Sequence, residues 1–391
     1  MRNRGKSLAV KSFWALAVVL AMLGLVLVQA EAQQRQPRRL RGQVRDQGGV
    51  PLKKARPEAA DPLAKAGGEA GGLAPGTYHF NFRLHSFDGT PLAASYYRSK
   101  LGSAAPVVLL IHEAGRSRKD FEDPVLELKG QGLAENLQQL NYAVLSLDLR
   151  GQGQNTRRAL ARDERVRMVE DLQAAYFFLV DRHNRGDLNL AKLGVVALGE
   201  GANLAAAWAF QPGAAITTEG RPSDLSALVL ISPMPEGSGY VLGHVLASLA
   251  PRIPLLLQAG ERDNASKDAV QGVRKTVERA RLNKVELYPS SLHGYKLLRL
   301  EPKVTATLLH FLDTTLRGRA ADWEPQYNLM PVTFSEIQTV RNTRTGDTAK
   351  DQAKAQNAEP KAEAAKDRPG EKARSRRTPQ PAPRDRAKNP G

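Results

Sequence analysis

The fold is decided by the stretch Gly194-Val-Val-Ala-Leu-Gly-Glu-Gly-Ala-Asn-Leu-Ala-Ala-Ala-Trp208. It begins with an apolar run, passes through Gly199 and Gly201, and continues into alanine-rich sequence of high helix propensity. This order predicts a strand, a sharp turn and a helix. Glycine suits such a turn because it adopts a positive φ at little cost.

The same alternation of strands and helices continues on both sides of this stretch. Residues 77–84 and 91–97, joined by turn residues at 88–89, predict an antiparallel hairpin. Continuous apolar runs, typical of strands buried on both faces, occupy 106–111, 142–147, 227–231 and 254–257, and a further strand is predicted over 284–288. Helices are predicted over 123–140, 163–180, 240–249, 268–281 and 296–315. The pattern indicates an α/β fold with a mostly parallel central sheet and helices on both faces.

Candidate functional residues follow the predicted strands, because sheets of this kind place their active site beyond the carboxyl ends of the strands. In chain order these segments are His112-Glu113, Asp148-Leu-Arg-Gly-Gln-Gly153, Ala197-Leu-Gly-Glu-Gly201, Ser232-Pro233, Gly260-Glu-Arg-Asp263 and Leu292-His-Gly294.

The order and spacing of these segments over residues 77–316 resemble the α/β-hydrolase superfamily, in particular its serine aminopeptidase, acylglycerol-lipase and dienelactone-hydrolase branches. The resemblance implies the α/β-hydrolase fold and makes 197–201 the counterpart of the G-x-S-x-G nucleophile elbow. Here the position of the serine is occupied by Gly199, which has no side chain. A register shifted by one would make Glu200 the nucleophile, but it would put Leu198 where the turn requires a small residue.

The resemblance also implies the other catalytic groups. It makes Asp263 the acid and His293 the general base that would take a proton from a serine hydroxyl. Simpler interpretations are a helix N-cap for Asp263 and an ordinary loop residue for His293. The oxyanion hole would consist of the backbone N–H groups of Glu113 and Glu200, which need no particular side chain. His112 is interpreted as structural.

Without an oxygen nucleophile at the elbow, the acyl-enzyme route is closed. We therefore expect a catalytically defective protein that binds a ligand or partner in the hydrolase cleft. One alternative is an active ester or amide hydrolase in which His293 and Asp263 act with a relocated nucleophile, Ser232, or with activated water, although Ser232 also fits the plain end of a strand. No cofactor is expected, and no metal, because the histidines lack the spacing of a zinc site.

The N-terminal 32 residues predict export. A basic start is followed by an apolar run over 13–28 and by Ala30-Glu31-Ala32, which resembles a signal-peptide cleavage site. The run is also compatible with an uncleaved anchor, although it is shorter than the ~20 residues that span a bilayer. Export into the periplasm, the envelope or the medium agrees with the absence of cysteine, because a domain of about 240 residues needs no disulfide.

Four further segments follow from composition. Residues 33–75 are predicted to be a disordered linker, 76–318 the hydrolase-like domain, 319–346 a C-terminal extension and 347–391 a disordered charged tail. Of the net charge of +17, only +4 falls within residues 76–346. The basic ends either solubilise the protein or hold it to an anionic envelope surface, and in the latter case it would act as an adaptor. Specific nucleic-acid binding is not expected, because no aromatic residues interleave with the basic tail.

Overall fold

The computed structural model describes residues 61–68, 76–155, 159–211, 224–326 and 332–342. The predicted signal peptide and the charged tail lie outside these residues, as does most of the predicted linker. Within the described ranges, every helix is too short or too polar to cross a membrane.

The described residues form a nine-stranded sheet and a short two-stranded one. The strands are β1 (Tyr78–His85), β2 (Pro91–Tyr97), β3 (Val107–Ile111), β4 (Ala143–Leu147), β5 (Leu193–Leu198), β6 (Leu225–Ile231), β7 (Glu236–Gly237), β8 (Tyr240–Val241), β9 (Leu255–Gly260), β10 (Lys284–Tyr288) and β11 (Phe334–Arg341). The large sheet has the order β10-β9-β6-β5-β3-β4-β2-β1-β11, and β7 pairs with β8. Pairing from β10 to β4 is parallel, whereas β2, β1 and β11 are antiparallel to their neighbours. The predicted α/β-hydrolase fold, including its N-terminal hairpin, is confirmed.

Helices cover both faces of this sheet. They are α1 (Pro62–Gly68), α2 (Leu133–Gln139), α3 (Arg162–Asn184), α4 (Glu200–Phe210), α5 (Leu242–Leu249), α6 (Asn264–Val277), α7 (Gly294–Leu300) and α8 (Pro302–Leu312). Strand β3 shows why its run is continuously apolar: Val107, Leu109 and Ile111 pack into one hydrophobic core. Val108 and Leu110 pack into a second core on the opposite face.

Two predicted helices are wrong in extent. In the segment 123–140 only Leu133–Gln139 is α-helical, because Lys129 and Gly130 before it have φ of 52° and 86°, outside the helical region. The segment 296–315 is divided into α7 and α8 at Pro302, which occupies the first turn of α8 and has no N–H to continue α7.

The prediction of a disordered linker is wrong for residues 61–68, the part of it that the structure describes. Residues 62–68 form α1, and Leu63 is buried in the first hydrophobic core. Asp61 accepts two 2.9 Å hydrogen bonds from Arg182 Nη1, which fixes the start of this helix on the domain. The predicted C-terminal extension contains β11, an edge strand that the sequence analysis did not anticipate.

Candidate functional site

The turn between β5 and α4 has the backbone that the sequence predicts for an elbow. Gly199 has φ 54° and ψ −128°, a conformation that costs a non-glycine residue on the order of 1–3 kcal/mol. Glu200 is the first residue of α4 and is exposed, so Gly199 and not Glu200 is the residue at the turn. A Cβ on Gly201 would lie 2.2 Å from His112 O, so glycine is required where α4 crosses the end of β3.

The structure brings together His293 and Asp263. Asp263 follows β9 and His293 follows β10, and the distance from His293 Nδ1 to Asp263 Oδ2 is 2.6 Å. Asp263 stands at the N-cap of α6, yet its side chain makes no capping bond, so the carboxylate faces the imidazole instead. A carboxylate only accepts, so the neutral ring carries its proton on Nδ1 and leaves Nε2 as the acceptor that a general base needs.

The Glu113 side chain lies between these two residues and the elbow. Its Oε1 is 3.8 Å from His293 Nε2, and its Oε2 accepts a 3.0 Å hydrogen bond from the backbone N–H of Tyr295. A Cβ built on Gly199 would lie only 2.6 Å from Glu113 Cγ. The Glu113 side chain therefore occupies the space directly beside Gly199.

Strand register explains this placement. Ile111 of β3 pairs with Ala197 of β5, so Glu113 and Gly199, each two residues further along, emerge side by side. Glu113 and Glu200 thus flank the elbow with their backbones, which is where the resemblance puts the oxyanion hole; that role stays a prediction. From the sequence only the backbone of Glu113 was assigned a role, although a glutamate in place of a small residue was a signal for its side chain.

Ser232 follows β6 but does not bond to His293. Its N–H donates to Gln258 O at 2.7 Å, and its fully buried Oγ has no hydrogen-bond partner among the described residues. The serine that does contact the imidazole is Ser266, whose Oγ is 3.2 Å from Nδ1, the nitrogen that already faces Asp263. Ser266 was not identified from the sequence, because the helix after β9 was predicted to begin at residue 268, whereas α6 begins at Asn264.

His112 lies beneath the elbow as a structural residue. It is fully buried, its Nδ1–H donates to Glu113 O at 2.7 Å, and its Nε2 accepts from Leu149 N at 3.0 Å. Burial lowers the pKa of this imidazole, which keeps it neutral. The ring therefore ties the end of β3 to the turn that follows β4.

Buried ion pairs hold that same turn after β4. Asp148 accepts from the backbone N–H and the guanidinium of Arg118, at 2.7 and 2.9 Å. Arg150 Nε donates to Asp171 at 2.8 Å and Nη1 donates to Asp88 at 2.9 Å. These bonds give Asp148 and Arg150 a structural role in the segment 148–153.

A cleft of about 550 Å³ opens beside the elbow, at the carboxyl ends of β3, β4 and β5. Apolar side chains of the cleft wall include Leu149, Leu160, Met168 and Leu204, and polar ones include Gln152, Arg165, Glu200 and Glu236. No group of three or more metal-ligating side chains with metal-site geometry is found in the described ranges.

Part of this chain is similar to known proteins. The family model described as serine aminopeptidase, S33, matches residues 128–288. The chain is similar to an esterase of Pyrococcus furiosus, with 17% identity, a TM-score of 0.46, and coverage of 63% of this chain and 95% of the other. It is also similar to dienelactone hydrolase from Anabaena variabilis, with 17% identity, a TM-score of 0.40, and coverage of 62% and 98%. No curated protein matches the chain. The predicted resemblance to the α/β-hydrolase superfamily is confirmed.

Proposed function

We propose that this α/β-hydrolase-fold protein binds a small molecule or peptide in the cleft beside Gly199 and does not hydrolyse it through an acyl-enzyme. The observation that carries the proposal is at the elbow, where glycine stands in the place that the resemblance gives to serine. In the described part of the chain, no hydroxyl hydrogen-bonds to His293 Nε2. An imidazole activates a nucleophile only within hydrogen-bond reach, so the acyl-enzyme route has no starting group.

The cleft supports binding as the remaining activity. Its volume of about 550 Å³ falls in the range of about 300–1,000 Å³ that is usual for small-molecule sites. Apolar walls with a few polar groups suit a ligand that has an apolar body and one polar end. We also propose that the protein works outside the cytoplasm, on the strength of its first 32 residues; N-terminal sequencing of the exported protein should then begin at Gln33.

The test uses the full chain and 4-nitrophenyl esters from acetate to octanoate as probes. We expect saturable binding by calorimetry and no release of 4-nitrophenol that depends on His293. Met168→Trp, which fills the cleft, should weaken binding at least about tenfold, because one tenfold step corresponds to only ~1.4 kcal/mol. Val166→Trp on the same helix is the matched control, since Val166 is 69% exposed and lies outside the cleft wall.

Two results would count against the proposal. Binding that is equal in Met168→Trp and Val166→Trp, or absent across the ester series, would contradict the cleft as the ligand site. Turnover that disappears in His293→Ala would favour the alternative function, hydrolysis by water that the Asp263–His293 pair activates, which the 2.6 Å contact supports. Sensitivity of that turnover to Ser232→Ala would identify a relocated nucleophile.

A further inference from the structure

We infer that two features prevent hydrolysis at this site. The serine is missing at position 199, and the Glu113 side chain fills the space that a nucleophile there would occupy and separates that space from His293. This inference rests on the proposed function, because it explains why the elbow carries no hydrolysis. Glu113, His293 and Asp263 then form a closed group in which one imidazole lies between two carboxylates.

The first argument is steric. A Cβ on Gly199 would meet Glu113 Cγ at 2.6 Å, Cδ at 3.2 Å and Cβ at 3.4 Å. Contacts of a real Cβ do not come closer than 3.0 Å, so any side chain at position 199 requires the Glu113 side chain to move. A serine introduced at this position would compete with Glu113 for the same volume.

The second argument is that Glu113 is anchored. Its Oε2 accepts the hydrogen bond from Tyr295 N–H, and a Cβ on Gly294 would lie 2.1 Å from that same oxygen. Glycine at 199 and glycine at 294 therefore make room for one carboxylate. Tyr295 is itself fixed, because its hydroxyl donates to Asp123 at 2.5 Å and the Arg116 guanidinium lies 3.7 Å above its ring.

The third argument is electrostatic. Acyl transfer places negative charge on the carbonyl oxygen of the substrate, beside the backbone N–H groups that follow β3 and begin α4. A carboxylate fixed next to that position opposes the developing charge. Glu113 Oε1 also lies 3.8 Å from Nε2, on the side from which a hydroxyl would have to donate its proton.

Restoring hydrolysis therefore takes two changes. In the double variant Gly199→Ser/Glu113→Gly, the introduced hydroxyl oxygen attacks the carbonyl carbon of an aryl ester, and its proton passes to His293 Nε2. The bond from the acyl carbon to the phenol oxygen breaks, and the leaving oxygen takes that proton. Water then attacks the acyl carbon and gives a proton to His293. The bond from that carbon to the introduced oxygen breaks, this oxygen takes the proton from His293, and the carboxylic acid is released.

The experiment compares the full-length wild type with Gly199→Ser, Glu113→Gly, the double variant, and the double variant that also carries His293→Ala. The readouts are kcat/KM for 4-nitrophenyl acetate and covalent labelling by a fluorophosphonate, detected as intact mass. We expect the double variant to exceed each single variant at least about 100-fold, which is below the roughly 10⁴–10⁶-fold losses that follow removal of a triad member. Labelling should be stoichiometric and should disappear with His293→Ala.

Two outcomes would overturn the inference. Gly199→Ser labelled as fast as the double variant would show that Glu113 blocks nothing. A double variant that melts like the wild type and yet takes up no label would show that freeing the space does not bring position 199 to His293. Neither result touches the proposed function, which is contradicted only by His293-dependent turnover in the wild type or by the failed binding described above.

If the variants with serine at position 199 fail to fold, a stability measurement on alanine variants still tests the inference. Urea midpoints are compared for Gly199→Ala in the wild-type and in the Glu113→Gly background, each against its own parent. The loss of midpoint should be smaller in the Glu113→Gly background, because the 2.6 Å collision is gone and only the backbone strain remains. Equal losses in both backgrounds would overturn the steric argument.

Discussion

The two halves of the site differ in what they retain from the hydrolase pattern. In the imidazole half, Asp263 and His293 follow β9 and β10 and meet at 2.6 Å, as acyl-transfer chemistry requires. In the elbow half, Gly199 offers no nucleophile and Glu113 fills the space above it. The difference teaches that the elbow can depart from the pattern locally, since the scaffold still delivers each backbone segment to its place.

Within the elbow half the backbone and the side chains also differ. The turn at Gly199 has its positive φ although no side chain there has chemistry to perform. Packing explains this, because α4 can cross the end of β3 only where Gly201 lies against His112 O. The elbow is therefore a structural joint, and each prediction below tests one side of this comparison.

The largest effect is expected at that joint. Gly201→Ala would place a Cβ 2.2 Å from His112 O, a backbone atom that cannot turn away. We expect a loss of unfolding free energy of about 3 kcal/mol, the upper end of the usual overpacking cost. Urea denaturation of the full chain measures it.

Gly272→Ala is the matched control for this substitution. Gly272 lies within α6, and a Cβ there would meet nothing within 4 Å. Alanine should stabilise that helix by about 0.5–1 kcal/mol, because glycine has the lower helix propensity. If both variants shift stability equally, then close packing does not define the elbow and the comparison above fails.

A smaller effect is expected from pH, through His112 below the elbow. Burial lowers its pKa in the folded state from 6.5, the value for an unperturbed histidine. Above about pH 6.5 the ring is neutral in both the folded and the unfolded chain, and its contribution to the free energy of unfolding is fully present. As the pH falls below that value the unfolded chain gains a proton that the folded chain does not, so stability decreases by up to about 1.4 kcal/mol per pH unit.

Melting curves between pH 7.5 and 5 in wild type and His112→Gln isolate this contribution. Burial also lowers the pKa of His79, so the wild-type slope contains both histidines, and the difference between the two proteins reports His112. The variant should show the flatter dependence. An identical slope in the two proteins would mean that His112 is protonated in the folded state, against its acceptor role toward Leu149 N.

The imidazole half was the easier half to predict from sequence. Strand order and the positions of Asp263 and His293 follow from local patterns, and the structure places the pair in contact. Asp263 stands at the N-cap position of α6, but its side chain faces the imidazole at 2.6 Å and does not cap the helix.

The elbow half was harder, because its decisive contact links segments about 90 and 180 residues apart. That Glu113 reaches across Gly199 to Tyr295 depends on the register of β3 and β5 and on the room left by Gly294. Neither is visible as a local pattern. The edge strand β11 escaped prediction for a related reason: as a half-buried edge strand it lacks both a continuous apolar run and a strict alternation.

The smallest expected effect tests what the intact half contributes. Asp263→Ala removes the acceptor at His293 Nδ1 but no helix cap, so we expect a loss of about 1 kcal/mol, a typical value for one partly exposed hydrogen bond. Asp268→Ala, an exposed position on the same helix, should stay within about 0.5 kcal/mol. In ¹H–¹⁵N NMR spectra the signal of the His293 Nδ1 proton should be lost in Asp263→Ala and retained in Asp268→Ala. If Asp263→Ala lowers the free energy of unfolding by well over ~1 kcal/mol, the pair has a mainly structural role. If the free energy of unfolding does not change, the pair is not needed for stability, and this result would favour the water-activating alternative.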